Sequence, residues 1–133
     1  MPPLIHDLLT SQVSVIFARV VLTAFFWIAG LFGLFKFGVM VKVIEERELP
    51  APRLIVALMV LTELVGSALL ITDVRSLGWL GAGWLGVFTV LSIPLGHPFW
   101  KYRPPKKMEE FQTALEHLAV VGGLMCAAVL TVR

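Results

Sequence analysis

Long apolar runs and short polar links alternate along the whole chain. Four runs carry the pattern: VSVIFARVVLTAFFWIAGLFGLF (13–35), RLIVALMVLTELVGSALLIT (53–72), LGWLGAGWLGVFTVLSIPLG (77–96) and FQTALEHLAVVGGLMCAAVLTV (111–132). A helix needs about 20 apolar residues to cross a bilayer core, and each run is long enough. Membrane β-strands would show two-residue alternation over about ten residues; these runs are apolar on all sides. The pattern predicts an all-α protein, an integral membrane antiparallel four-helix bundle, with residues 1–133 forming one domain. The 73–76 link is too short for any other course, so the second and third helices should be neighbours.

Small residues suggest where the helices touch. Ala119, Gly123 and Ala127 recur every four residues on the fourth helix, and Ala82 and Gly86 do so on the third. Gly30 and Gly33 open a similar notch in the first. Such stripes let backbones approach closely in lipid.

The links have their own texture. FGVMVKVIEERELP (37–50) mixes apolar and charged residues at near-helical spacing, which suits either a short helix in the membrane interface or an ordered loop. HPFWKYRPPKK (97–107) places Phe99, Trp100 and Tyr102 where aromatic belts sit, and Pro104 and Pro105 stop a helix there. Glu109 and Glu110 fall at the start of the fourth helix and suit its dipole.

Composition agrees with the pattern. The chain is 58% hydrophobic and 15% charged, against roughly 25% charged in soluble domains. Lys36, Lys42, Arg47 and Arg53 lie in one long link, and Lys101, Arg103, Lys106 and Lys107 in the other. Only Arg75 and Arg133 mark the opposite side. Lys and Arg are enriched in cytoplasmic loops, so the expected setting is a bacterial inner membrane with both termini periplasmic or exterior. No Lys or Arg precedes Arg19, so the basic region of a signal peptide is missing. The net charge of +2 belongs to residues flanking the spans, where membrane lipid is the expected partner and nucleic acid is not. Cys126 is the only cysteine, so the chain alone has no dithiol relay or iron–sulfur site.

Ionisable residues inside the apolar runs carry the functional signal, because each costs several kcal/mol in lipid unless paired or hydrated. They are Arg19, Glu63, Glu116 and His117, with His97 and Lys36 at the ends of the third and first spans. At about 1.5 Å per residue, Arg19 lies about 9 Å and Glu63 about 14 Å below the outer surface. An Arg19–Glu63 pair between the first two helices is therefore expected, serving either a functional centre or helix register. Glu116 and His117 lie about 6 Å beyond Glu63 and point about 100° apart. Glu116 is in line with Ala119 and Gly123 and should face a close helix. His117 is in line with Val120, Val121 and Leu124 and should face a cavity, lipid or a partner. Lys36 reads as a snorkelling anchor.

A carboxylate and an imidazole can exchange protons, and imidazole and Arg can hydrogen-bond the carbonyls of a quinone. Of two histidines only His117 is inside the bilayer, which argues against haem. The acidic and imidazole groups lack the tight spacing of a metal site.

GLFGLFKF (30–37), TELVGSALLI (62–71), GHPFW (96–100) and FQTALEHLAVVGGLM (111–125), with Arg19 early in the first helix, together resemble the DoxX family of small four-helix membrane proteins. The resemblance covers nearly the whole chain. It implies a membrane partner in an oxidoreductase system, since related chains belong to a thiosulfate:quinone oxidoreductase and to an actinobacterial complex linked to thiol and superoxide stress. By resemblance the positions of interest are Arg19, Lys36, Glu63, His97, Trp100 and His117. A thiol step would need a partner protein, because this chain has no cysteine pair. The expectation is a membrane subunit of an oxidoreductase system, quinone-facing or proton-conducting, working with a redox protein or a second copy. A hypothetical polar site would comprise Arg19, Glu63, His97, Glu116 and His117. The alternatives are a small transporter or lipid-binding protein, and a scaffold subunit.

Overall fold

The computed structural model describes residues 1–133. Six α-helices follow one another: α1 Pro3–Thr10, α2 Gln12–Phe35, α3 Phe37–Glu46, α4 Pro52–Thr72, α5 Gly78–Gly96 and α6 Lys106–Val132. Four of them, α2, α4, α5 and α6, are long and apolar enough to cross a membrane. The chain is an all-α membrane protein.

The expected spans match α2, α4 and α5 within a residue or so. α6 begins five residues before the apolar run, because Pro105 stands at its N-cap position and a proline at a helix entrance forfeits no helical bond. The 37–50 link resolves in favour of a helix over Phe37–Glu46, which buries Val41 and Ile44 against Val56 of α4. α1 was not foreseen. Its apolar residues Leu4, Ile5, Leu8 and Leu9 are all exposed, and Ser11 separates it from α2 by accepting from the Ser14 N–H at 3.2 Å.

α2 packs along α4, α4 along α5, and α5 along α6. α2 and α6 stand further apart and meet through long side chains, Leu22 reaching Gly123 and Phe25 reaching His117. The core, centred on Phe26, Leu70, Ala82, Leu85 and Leu124, draws on all four spans. Only 21 of 133 residues are buried. The large apolar side chains left outside, such as Phe17, Val21, Leu58, Val87 and Leu130, give the bundle a lipid-facing surface that water would not tolerate. Two buried threonines satisfy themselves within their helices: Thr23 donates to the Arg19 carbonyl and Thr89 to that of Leu85, each at 2.7 Å.

Two devices fix the ends. At the basic end, the Arg47 guanidinium donates to the Gly96 carbonyl and so ties the end of α3 to the end of α5. At the opposite end Asp73, Arg75 and Ser76 turn the chain through left-handed backbone, and Asp73 Oδ1 accepts the Gly78 N–H at 2.7 Å. That carboxylate satisfies one of the open donors in the first turn of α5. Asp73→Ala is expected to cost about 1 kcal/mol, read as a lower unfolding midpoint in detergent. A midpoint equal to the parent's would show that water replaces the cap.

Candidate functional site

α6 turns one face inward through Glu110, Ala114, His117, Val121 and Leu124, a spacing of three and four residues. His117, 8% exposed, is the imidazole on that face. Its Nδ1 donates to the Thr113 carbonyl at 2.8 Å, which leaves Nε2 of the neutral ring as an acceptor. The His97 ring, at the end of α5, lies 4.9 Å from it, centroid to centroid. His97 Nδ1 in turn donates to Glu110 Oε2 at 2.7 Å. Phe25 of α2 meets His117 edge-on at 5.8 Å. Three helices thus build one cluster, with two imidazoles in contact and a carboxylate behind one of them.

The turn from α5 to α6 makes this possible. Pro94 lacks the N–H for the bond to Val90, and α5 ends two residues later, at Gly96. The chain then returns through Phe99, whose ring packs on Phe111 at 5.0 Å. That contact sets the start of α6 beside the end of α5, so His97 meets Glu110. No three His, Cys, Asp or Glu side chains converge to hold a metal ion.

Glu116 does not join the cluster. It is exposed and accepts from Gln112 Nε2 at 3.3 Å, whereas His117, expected to face a cavity, lipid or a partner, is buried against α5 and α2. The expectation fails because α6 packs through its bulky residues. Leu124 enters the core beside Ala82, so the small residue at that contact comes from α5. Ala119 is exposed, while Gly123 receives the Leu22 side chain and Ala127 packs against the core.

Nor do Arg19 and Glu63 form a pair; the ion pairs present are His97–Glu110 and His6–Asp7. The glycine notches explain this. A Cβ on Gly30 would meet Leu64 at 2.8 Å and Glu63 at 3.2 Å, and one on Gly33 would meet Val60 at 2.7 Å. These contacts fix the antiparallel register and set Glu63 level with Gly30. Arg19 is eleven residues away, about 16 Å along the axis, level with the 73–76 link. α2 extends past the end of α4, so depths counted from flush helix ends placed Arg19 too near Glu63.

Glu63 instead lines a groove between α2 and α4. The groove holds about 450 Å³ and is walled by Phe25, Phe32, Met40, Met59 and Val60 among others. Glu63 is 5% exposed and has no ion-pair partner. One turn further along α4, Ser67 is buried with its hydroxyl unbonded. Lys36 and Trp100 are both exposed near the basic end, and Trp100 stacks edge-on with Phe99 at 5.1 Å.

A family model, DoxX, matches residues 14–98. The chain belongs to the DoxX family. The matched DoxX segment takes in α2 to α5, with Arg19, Lys36, Glu63 and His97. Trp100, Glu110 and His117 lie beyond it, so the cluster joins a histidine inside the DoxX match to α6 residues outside it. No curated protein matches the chain, and no solved structure does.

Glu110 is the residue that sequence reasoning missed. Its place in the first turns of α6 suggests only a helix-dipole role. The available signal was its position seven residues before His117, on the same face of one helix.

Proposed function

We propose that this DoxX chain is a membrane subunit of an oxidoreductase system, and that His97, Glu110 and His117 form its quinol-facing proton acceptor. One observation carries the reading: two imidazoles in contact within a bilayer-spanning bundle, one fixed by a backbone carbonyl and the other by a carboxylate. His117 Nε2 is a free acceptor for a hydroxyl, and an imidazole accepts protons near neutral pH. Glu110 stabilises positive charge on His97, so a proton taken by His117 has a place to go. The direction runs toward the end carrying eight Lys and Arg residues, which we assign to the cytoplasm of a bacterial cell. A bound quinol would supply electrons and protons. The chain has a single cysteine and no dithiol pair, so in this reading the electrons pass to a partner redox protein.

The test is saturable quenching of tryptophan fluorescence by ubiquinone-1 or menadione in the purified chain. His117→Phe should abolish saturation, and Glu116→Gln, at an exposed position on the same helix, should leave it intact. Equal binding by parent and His117→Phe would end the reading.

A second reading rests on the same ion pair. His97–Glu110 joins the end of α5 to the start of α6, which a scaffold subunit would also need.

A further inference from the structure

The groove that holds Glu63 is a different place from the histidine cluster, separated from it by the Phe25 ring. We infer that this groove binds a hydrophobic monocation, a lipophilic ammonium or phosphonium, whose charge Glu63 neutralises. The inference does not depend on the redox reading.

Charge complementarity is the first ground. Among the ten residues lining the groove Glu63 is the single ionisable one. It is 5% exposed, with no ion pair and no hydrogen-bonding partner. Along α2, Lys36 lies about 9 Å and Arg19 about 16 Å from the level of Glu63, and neither pairs with it. A carboxyl in such surroundings is costly to ionise unless a cation meets it, and no cationic side chain of the chain pairs with it.

The walls fit the same class of ligand. Phe25 and Phe32 line the groove, and aromatic rings attract cations more strongly when water is absent. Met40 and Met59 are flexible and polarisable, and adapt to ligands of varied outline. The volume of about 450 Å³ falls within the range of small-molecule pockets, roughly 300–1,000 Å³.

The way in is lateral. Phe25, Ile28 and Phe32 are 55%, 54% and 48% exposed on the lipid-facing surface, so the groove opens to the bilayer, where hydrophobic cations concentrate. Met40 of α3 lines its end toward the basic links, and the volume suits a small molecule.

Tetraphenylphosphonium is the probe, measured by equilibrium dialysis against the purified full chain in detergent. The parent should bind it saturably, close to one per chain. Glu63→Gln should weaken binding at least tenfold while helicity and elution volume stay the same. Ala29→Phe, which fills the groove and keeps the carboxyl, should lose binding as well, and decides the matter should Glu63→Gln fail to fold. Triphenylphosphine oxide, neutral and of similar shape, should not compete. Unsaturable uptake, equal binding by Glu63→Gln, or competition by the neutral oxide would each overturn the inference. So would a Glu63→Gln chain that sheds a co-purifying membrane protein while its phosphonium binding is unchanged.

Discussion

Gly81→Ala is expected to destabilise the bundle by about 3 kcal/mol, the upper part of the range for overpacking. A Cβ at Gly81 would lie 2.6 Å from the Gly66 carbonyl oxygen, 2.8 Å from Leu69 Cβ and 2.9 Å from the Leu70 backbone nitrogen. Two of those three atoms are backbone of α4, so no rotamer change relieves the clash and α5 must move away from α4. That separation opens the core where Leu70 and Leu85 are fully buried, and lost dispersion contacts add to the cost. Gly83 and Gly86 are controls on the same helix, since a Cβ there meets nothing within 4 Å. Their alanine variants should behave like the parent, or gain slightly from helix propensity. The measurement is the midpoint of unfolding in mixed detergent and dodecyl sulfate for all three variants. Gly81→Ala unfolding together with Gly83→Ala would mean that the α4–α5 contact is looser than the geometry requires.

The same helix shows where sequence pattern stops informing. The four spans were legible because lipid demands about 20 apolar residues whatever the partner. The face each span turns inward was not, because lipid tails are as apolar as the neighbouring helix. On α5 the stripe Ala82–Gly86 stood out by spacing, yet Gly86 faces open space and Gly81 makes the closest approach. On α6 the small-residue stripe pointed to Glu116 as the inward residue, and bulky packing on the other face buried His117 instead. The Gly30 and Gly33 notch was read correctly as a contact. Its consequence, the register that parts Arg19 from Glu63, requires knowing which residues fill it, and these lie on another helix. α1 went unseen because PLIHDLLT is too short and too mixed to stand out beside a span. Its helical start needs only Pro3 at the first position.

Glu110→Gln is expected to lower quinol-linked electron transfer about fivefold per folded chain, and this variant separates the two readings of the histidine cluster. Glutamine keeps the length and the acceptor oxygen of Glu110 and removes its charge. The hydrogen bond to His97, 2.7 Å long with side chains 27% and 14% exposed, is shielded from most solvent. A hydrogen bond to a charged group exceeds a neutral one by about 1 kcal/mol, and 1.36 kcal/mol corresponds to a factor of ten in rate. If His97 receives a proton while Glu110 stabilises it, that energy appears in the rate, and the loss remains when activity is normalised to folded, membrane-inserted chain. If the pair only holds α5 to α6, the same energy appears in the unfolding midpoint, and each chain that does assemble works at the parent's rate. His97→Gln alone and the double variant complete a cycle. Coupling of the two sites in rate supports the proton-acceptor reading, and coupling confined to stability assigns the pair to the scaffold.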